Sequence, residues 1–169
     1  MNHKHIIGID PDVKKSGIAH LNTHTRNIEL MTLAFWELYE YLKVMKETYD
    51  DRFIVVIEAG WLVEKSNFHG QSGTRAQRIA KNVGSNHETG RKIVEMCEYL
   101  EIEHAVKAPL KKIWMSNDGK VSHRELAYFT GLQKHATNQE ERDAALIAWE
   151  YAGFPIKILP IRLPKPVGC

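Results

Sequence analysis

The 169-residue sequence has few cysteines and no long apolar segment. Its two cysteines, Cys97 and Cys169, are too few for a disulfide framework or a cysteine-based zinc site. The longest apolar runs, 53–57 and 144–149, are far shorter than the roughly 20 residues that span a bilayer. Because Asp10 interrupts the short apolar stretch near the N-terminus, we expect no secretory signal peptide. These features predict a protein of a reducing, cytoplasmic compartment with no membrane partner.

The sequence also has little net charge, since 23 Lys and Arg residues face 21 Asp and Glu residues, for a balance of +2. The positive charge is concentrated in residues 59–92, which contain six basic and two acidic side chains. A basic surface on a nearly neutral protein is typical of contact with a phosphate backbone. A solvated basic loop is the alternative. The candidate contact residues are Lys65, Arg75, Arg78 and Lys81.

Short runs of β-branched and apolar residues predict five strands. Residues 5–10, 17–22 and 27–34 are joined by short polar connections, which predicts an antiparallel three-strand meander. Residues 52–57 and 102–106 each follow a predicted helix, as parallel strands do. The order predicts an α/β fold with a mixed central sheet flanked by helices.

Apolar spacing and capping patterns predict the helices. The chain between them includes a polar connection over 59–85, and the prolines beyond the last helix predict an extended C-terminal arm over 154–169. We find no linker, so residues 1–169 are interpreted as one domain. The predicted helices are 35–49, 86–100 after a Ser85–Glu88 capping box, Ser122 to Gly131 with a Ser122–Glu125 box, and Thr137 or Asn138 to just before Gly153.

Acidic residues follow the buried strands at two places and recur on the last helix. Asp10 ends the first strand, and Glu58 directly follows the apolar run 53–57. Glu140 and Asp143 are three residues apart and therefore share one helix face. A carboxylate at the end of a central strand is expensive to desolvate unless a cation or hydrogen bonds compensate. If the two strands are neighbours, these oxygens form a site that suits Mg²⁺ or Mn²⁺.

Each acid also has a purely structural interpretation. Asp10 would open a turn before Pro11, and Glu58 would pair with an arginine. On the last helix, Glu140 would close a capping box with Thr137, or the neighbouring Glu141 would do the same for Asn138.

Three segments together resemble one family. The segments IIGIDPDVKKSGIA, FIVVIEAGW and NQEERDAALIAW resemble the first strand and turn, the second acidic strand and the catalytic C-terminal helix of the RuvC-type Holliday junction resolvases. The resemblance extends over roughly residues 5–152 and implies the RNase H-like nuclease fold. Two departures are Asp12, where the family usually has glycine, and Glu140, where it commonly has aspartate.

The resemblance implies a structure-selective endodeoxyribonuclease that resolves four-way DNA junctions in the cytosol of a bacterial or phage-infected cell. It implies catalysis by two divalent ions, Mg²⁺ or Mn²⁺. The implied metal ligands and catalytic acids are Asp10, Glu58, Glu140 and Asp143, with Lys111 and Lys120 as catalytic lysines.

A four-way junction has approximate two-fold symmetry and needs two nicks, so a homodimer is the expected assembly. Ile93, Cys97 and Leu100 are interpreted either as its interface or as a helix face that covers the sheet. Trp61 is a candidate for stacking on bases opened at the crossover, with Phe68 as a second candidate. The alternative for Trp61 is an aromatic anchor that packs back onto the fold.

Other functions also agree with parts of this pattern. An RNase H-like nuclease for RNA–DNA hybrid or structured RNA would use the same acids. A catalytically inactive junction-binding protein would keep the fold alone. The segment GIDPDVKKSG also loosely resembles the phosphate-binding hairpin of sugar-kinase and actin-like ATPases, but the chain is short for two such domains.

Overall fold

The computed structural model of the chain describes residues 3–63, 74–110, 113–114 and 119–158, and within it residues 74–80 by their backbone only. The expectations for Lys65, Phe68, Lys111 and most of the 154–169 arm therefore lie outside the described residues.

The described residues form a five-stranded mixed sheet with the strand order β3-β2-β1-β4-β5. The first three strands are antiparallel, and β4 and β5 continue the sheet parallel to β1, as the sequence predicts. β1 and β4 lie buried between two layers of helices, which explains why residues 6–9 and 53–57 are wholly apolar. The strands are β1 (His5–Asp10), β2 (Ser16–Asn22), β3 (Ile28–Leu33), β4 (Phe53–Glu58) and β5 (His104–Lys107).

Four helices among the described residues cover the two faces of the sheet. Ile7 and Ile9 of β1 pack in one core with residues of the first two helices, while Ile6 packs in the other with the last two. This alternation follows from the two-residue period of a strand. The helices are α1 (Phe35–Tyr49), α2 (Thr74–Tyr99), α3 (His123–Thr130) and α4 (Gln139–Tyr151).

Two strand glycines let α4 approach the sheet closely. A Cβ added at Gly8 would overlap the carbonyl oxygen of Ala144, and one at Gly17 would overlap the backbone of Glu140. Since Gly17 is the partner of Asp10 across the β1–β2 ladder, this approach brings the start of α4 next to the end of β1.

The predicted connection over 59–85 extends too far, since residues 74–85 are helical, and the Ser85–Glu88 cap is wrong. A 3₁₀ turn forms at Gly60–Leu62, and α2 begins at Thr74, about three helical turns before Ser85. Ser85 is interior to the helix, where its carbonyl accepts a hydrogen bond from Thr89 Oγ1. The misleading signal was the Ser85–Glu88 spacing of a capping box. Gly84, which has low helix propensity, is tolerated inside the helix beside open space.

The other helix ends agree with the sequence. Ser122 and Glu125 form the predicted capping box of α3, and Gly131 ends that helix with φ +73°. On α4 the capping box joins Asn138 and Glu141, so Glu140 is not the capping residue.

Ile93 and Cys97 are fully buried in the core beneath α2, and Leu100 packs against the same core. Of the two interpretations of this helix face, the structure supports covering of the sheet, and an interface on Ile93 and Cys97 is wrong. Within the described residues, no helix is long and apolar enough to cross a membrane.

Candidate active site

The four predicted acids come together in one cleft at the end of the sheet. β1 and β4 are parallel neighbours, with Ile9 beside Ile57, so Asp10 and Glu58 end adjacent strands on the face that α4 covers. Glu140 and Asp143 enter from the first turn and a half of α4. The cleft has a volume of about 370 Å³. Its other lining residues include Asp12, Trp61, Asn86, His87, Trp114 and Lys120.

The pKa of Asp10 reflects the proximity of the other three acids. Burial is the main reason that the pKa of Asp10 is raised well above its usual value. The neighbouring charges of Glu58, Asp143 and Glu140 raise the pKa further, and Lys120 opposes them. A divalent cation in the cleft would therefore stabilise the ionised form of Asp10.

Two donors hold the carboxylate of Asp143. The side-chain amide of Gln139 donates to Oδ1 at 2.7 Å, and the Lys120 ammonium lies 3.4 Å from Oδ2. Lys120 is therefore placed in the cleft, as the sequence resemblance implies, next to one of the predicted metal ligands.

The donor chemistry of the cleft fits a hard divalent cation. Asp10, Glu58, Asp143 and Glu140 offer carboxylate oxygens, the ligands that Mg²⁺ and Mn²⁺ prefer. Within the described part of the chain, no three His, Cys, Asp or Glu side chains are already arranged to hold an ion. Both oxygens of Asp143 already contact a donor, Gln139 or Lys120. Asp143 would therefore have to give up one of these contacts to bind a cation.

Trp61 and His87 form one wall of the cleft. Trp61 is half-buried in the turn after β4, and its ring packs against Gly90 of α2, with the Arg91 guanidinium 5.4 Å from the ring centre. The His87 ring meets the indole edge-on with centroids 6.4 Å apart. The sequence analysis did not identify His87, because its place in the cleft depends on packing of α2 against the turn after β4.

Asp12 lies in the turn between β1 and β2 and organises it. Its Oδ1 accepts the backbone N–H of Lys14 at 2.8 Å, and its Oδ2 accepts the side-chain amide of Asn86 at 3.3 Å. Asn86 in turn accepts the backbone N–H of Val13 at 3.2 Å. Asp12, which stands where the resembled family usually has glycine, therefore has a hydrogen-bond partner on α2. The spacing of residues in the sequence could not reveal this contact.

Of the basic candidates, Lys81 is exposed on α2, and Arg75 and Arg78 belong to the first turns of that helix. Asn86 of α2 lines the cleft. The three basic positions precede Asn86 on the same helix. Their contact with DNA stays a prediction.

Comparison with known proteins identifies the fold. No protein-family model and no curated protein matches the chain. A structure of T. thermophilus RuvC in complex with a Holliday junction substrate aligns with TM-score 0.52 and 14% identity, over 89% of this chain and 93% of that one. The catalytic core domain of BIV integrase (TM-score 0.34, 11% identity, 88% and 81% covered) and the large terminase nuclease of thermophilic phage G20c (0.30, 17%, 86% and 82%) are also similar. With the observed sheet order, the RuvC alignment shows that the chain has the RNase H-like fold.

Proposed function

On this RNase H-like fold, we propose that the protein is a divalent-metal-dependent endonuclease that cuts four-way DNA junctions. The observation that carries the proposal is the cleft in which Asp10 meets three further carboxylates, each of which raises its pKa. Four acids gathered in this way lower the stability of the folded state, because like charges repel and buried charges are costly. They serve the binding of cations well.

The acids would divide the work of holding the cations. Asp10, whose pKa the other three acids raise, would hold the cations together with Glu58, Asp143 and Glu140. Bound divalent ions would activate water for attack on the phosphodiester and stabilise the leaving 3′ oxygen. The reaction is hydrolysis, in which the water oxygen bonds to phosphorus as the bond from phosphorus to O3′ breaks.

Lys120 would act on the phosphodiester that the acids and their cations bind. Its ammonium lies beside Asp143 in the lining of the cleft, where it would approach the non-bridging oxygens of a bound phosphodiester. Negative charge grows on those oxygens during hydrolysis, and a nearby cation stabilises it.

A junction as substrate is supported by two features. From the cleft towards its N-terminus, α2 carries basic residues at positions 75, 78 and 81. These residues would contact a DNA backbone. Trp61 offers an aromatic surface in the cleft wall. The RuvC structure that aligns with the chain holds a Holliday junction substrate, which makes the same substrate class the first to test.

Paired cleavage of a two-fold junction further implies a homodimer. Since Ile93 and Cys97 are buried in the core, we propose that the dimer uses a different surface. Light scattering at assay concentrations tests this, and a monomer that still cuts both strands symmetrically would contradict it.

The decisive experiment compares a four-way DNA junction, an RNA–DNA hybrid and a linear duplex, each with Mg²⁺, Mn²⁺ or EDTA. We expect symmetrical cuts in the junction only, dependent on the metal, and none with Glu58→Gln. Cleavage of the hybrid alone would replace the proposal with a ribonuclease. Tight junction binding without cleavage by any metal would indicate an inactive binding protein. Binding should weaken steeply with salt, because contacts to phosphates release counterions.

A further inference from the structure

Arg142 of α4 links three segments by hydrogen bonds. Its Nε donates to the Val121 carbonyl at 2.9 Å, and its other nitrogens donate to the Thr137 carbonyl and to Gln139 Oε1, the latter at 2.8 Å. Val121 directly follows Lys120, and Gln139 begins α4. The guanidinium therefore fixes both segments that contact Asp143.

The guanidinium also settles which way the Gln139 amide faces. Arginine only donates hydrogen bonds, so the amide oxygen of Gln139 must face Arg142. The amide nitrogen then faces Asp143 and donates to Oδ1 at 2.7 Å. A chain of donors thus runs from Arg142 through Gln139 to Asp143, and each link has only one chemically sensible direction.

The two oxygens of Asp143 are held differently as a result. Oδ1 accepts a short hydrogen bond from an amide whose orientation Arg142 fixes. Oδ2 has the longer contact, 3.4 Å, with the flexible ammonium of Lys120. A divalent cation would displace the second partner more easily than the first.

We propose that Gln139 is a positioning residue for the metal site, held in its working orientation by Arg142, so that Asp143 offers Oδ2 to the cation. This inference rests on the proposed function only in taking Asp143 as a metal ligand. Neighbours that orient a ligand in this way typically affect metal affinity 10- to 100-fold. Neither Gln139 nor Arg142 stood out in the sequence, where the i, i+3 and i, i+4 spacings from Gln139 are those of any helix face.

The test measures Mn²⁺ binding by electron paramagnetic resonance, without DNA. Gln139→Met keeps the length of the side chain and removes its donor, so Mn²⁺ affinity should fall about 10-fold. Gln133→Met is the matched control, since Gln133 is exposed and outside the cleft, and should bind Mn²⁺ as the unmodified protein does. Unchanged affinity in Gln139→Met would overturn the inference.

A double-mutant cycle separates positioning from stability. Arg142→Lys keeps the charge but loses the planar fork, and alone it should also lower Mn²⁺ affinity. If Arg142 acts through Gln139, adding Arg142→Lys to Gln139→Met should lower Tm further but leave Mn²⁺ affinity where it was. Losses of affinity that simply add would overturn the inference. If Gln139→Met fails to fold, Arg142→Lys alone carries the test, and unchanged Mn²⁺ affinity there would overturn the inference as well.

The outcomes for the unmodified protein distinguish the two proposals. A protein that binds Mn²⁺ but cuts no junction would overturn the proposed function and leave the role of Gln139 standing. A protein that binds no Mn²⁺ would overturn both.

Discussion

The indole ring of Trp61 occupies the space that the missing side chain of Gly90 leaves on α2. A Cβ at Gly90 would lie 2.5 Å from Trp61 Cζ3, far inside van der Waals contact, and 3.1 Å from Cη2. The turn after β4, which directly follows Glu58, is thereby docked onto α2. The absence of a side chain at Gly90 thus determines where one wall of the cleft lies.

Gly90→Ala should therefore destabilise the protein by about 1–3 kcal/mol, because the ring must move to admit the methyl group. Gly84→Ala on the same helix is the control. A Cβ there meets nothing within 4 Å, so this variant should gain up to about 1 kcal/mol from helix propensity. Urea denaturation measures both changes. A Gly90→Ala variant as stable as Gly84→Ala would contradict the packing described.

Trp61→Ala separates two roles for the indole. If the ring stacks on bases opened at the crossover, the variant should cut intact junctions poorly and regain much of the rate on a junction with unpaired bases at the branch point, since base stacking is worth roughly 1–3 kcal/mol. If the ring only anchors the turn to Gly90, the free energy of unfolding should fall by a similar amount and the opened junction should bring no rescue. Paired measurements of Tm and cleavage rate on both substrates decide between them.

The sheet, and the meeting of the acids in one cleft, could be predicted from the sequence because both signals are local. Each acid directly follows an apolar strand or lies on a helix with a clear cap, and so Asp10, Glu58 and Asp143 could be placed from their neighbours in the chain. Asn86 and His87 could not, because they reach the cleft through packing between α2 and turns more than 20 residues away. The same holds for Gln139 and Arg142, whose roles depend on the orientation of an amide.

The pair Asp12 and Asn86 predicts a coupling between the turn after β1 and α2. Asn86→Ala should lower the free energy of unfolding by about 1 kcal/mol. It should also slow junction cleavage under conditions where the variant is fully folded, since the turn that Asn86 holds begins next to Asp10. Asn82→Ala, exposed one turn earlier on α2, is the control and should change neither. In a double-mutant cycle, Asp12→Ala should add less in the Asn86→Ala background than alone. Fully additive effects would show that the two side chains do not interact.

Asp10→Asn should abolish cleavage while preserving the fold. Because crowding and burial raise the pKa of Asp10 above its usual 3.8, the ionised form opposes folding, and this penalty grows as pH rises above that value. In EDTA near neutral pH, the Tm of the variant should equal or exceed that of the unmodified protein by up to about 3 °C. Added Mn²⁺ should raise the Tm of the unmodified protein and not that of the variant. Normal turnover by the variant would remove Asp10 from the site.

At the opposite end of β1, His5 and His20 predict how stability depends on pH. Their rings are joined by a 2.9 Å contact between His5 Nδ1 and His20 Nε2, and the His5 ring also packs against the tilted ring of Tyr49, with centroids 4.0 Å apart. Burial is the main reason that the pKa of His5 is lowered from 6.5 to about 4, and burial lowers the pKa of His20 as well. Folding therefore favours the neutral rings, which agrees with a hydrogen bond that needs one ring nitrogen as acceptor.

A group with a lowered pKa of this kind contributes its full stability above pH 6.5 and loses it as pH falls towards 4, because the unfolded chain binds the proton first. Between pH 7 and 4.5, His5 alone should account for a loss of roughly 2 kcal/mol. His5→Gln keeps a hydrogen-bonding partner for His20 without titrating, so urea denaturation should show a shallower fall in stability over this range. His24→Gln changes an exposed histidine in the β2–β3 turn and should keep the original slope. If His5→Gln loses stability with acid as steeply as His24→Gln does, the acid sensitivity arises elsewhere in the protein.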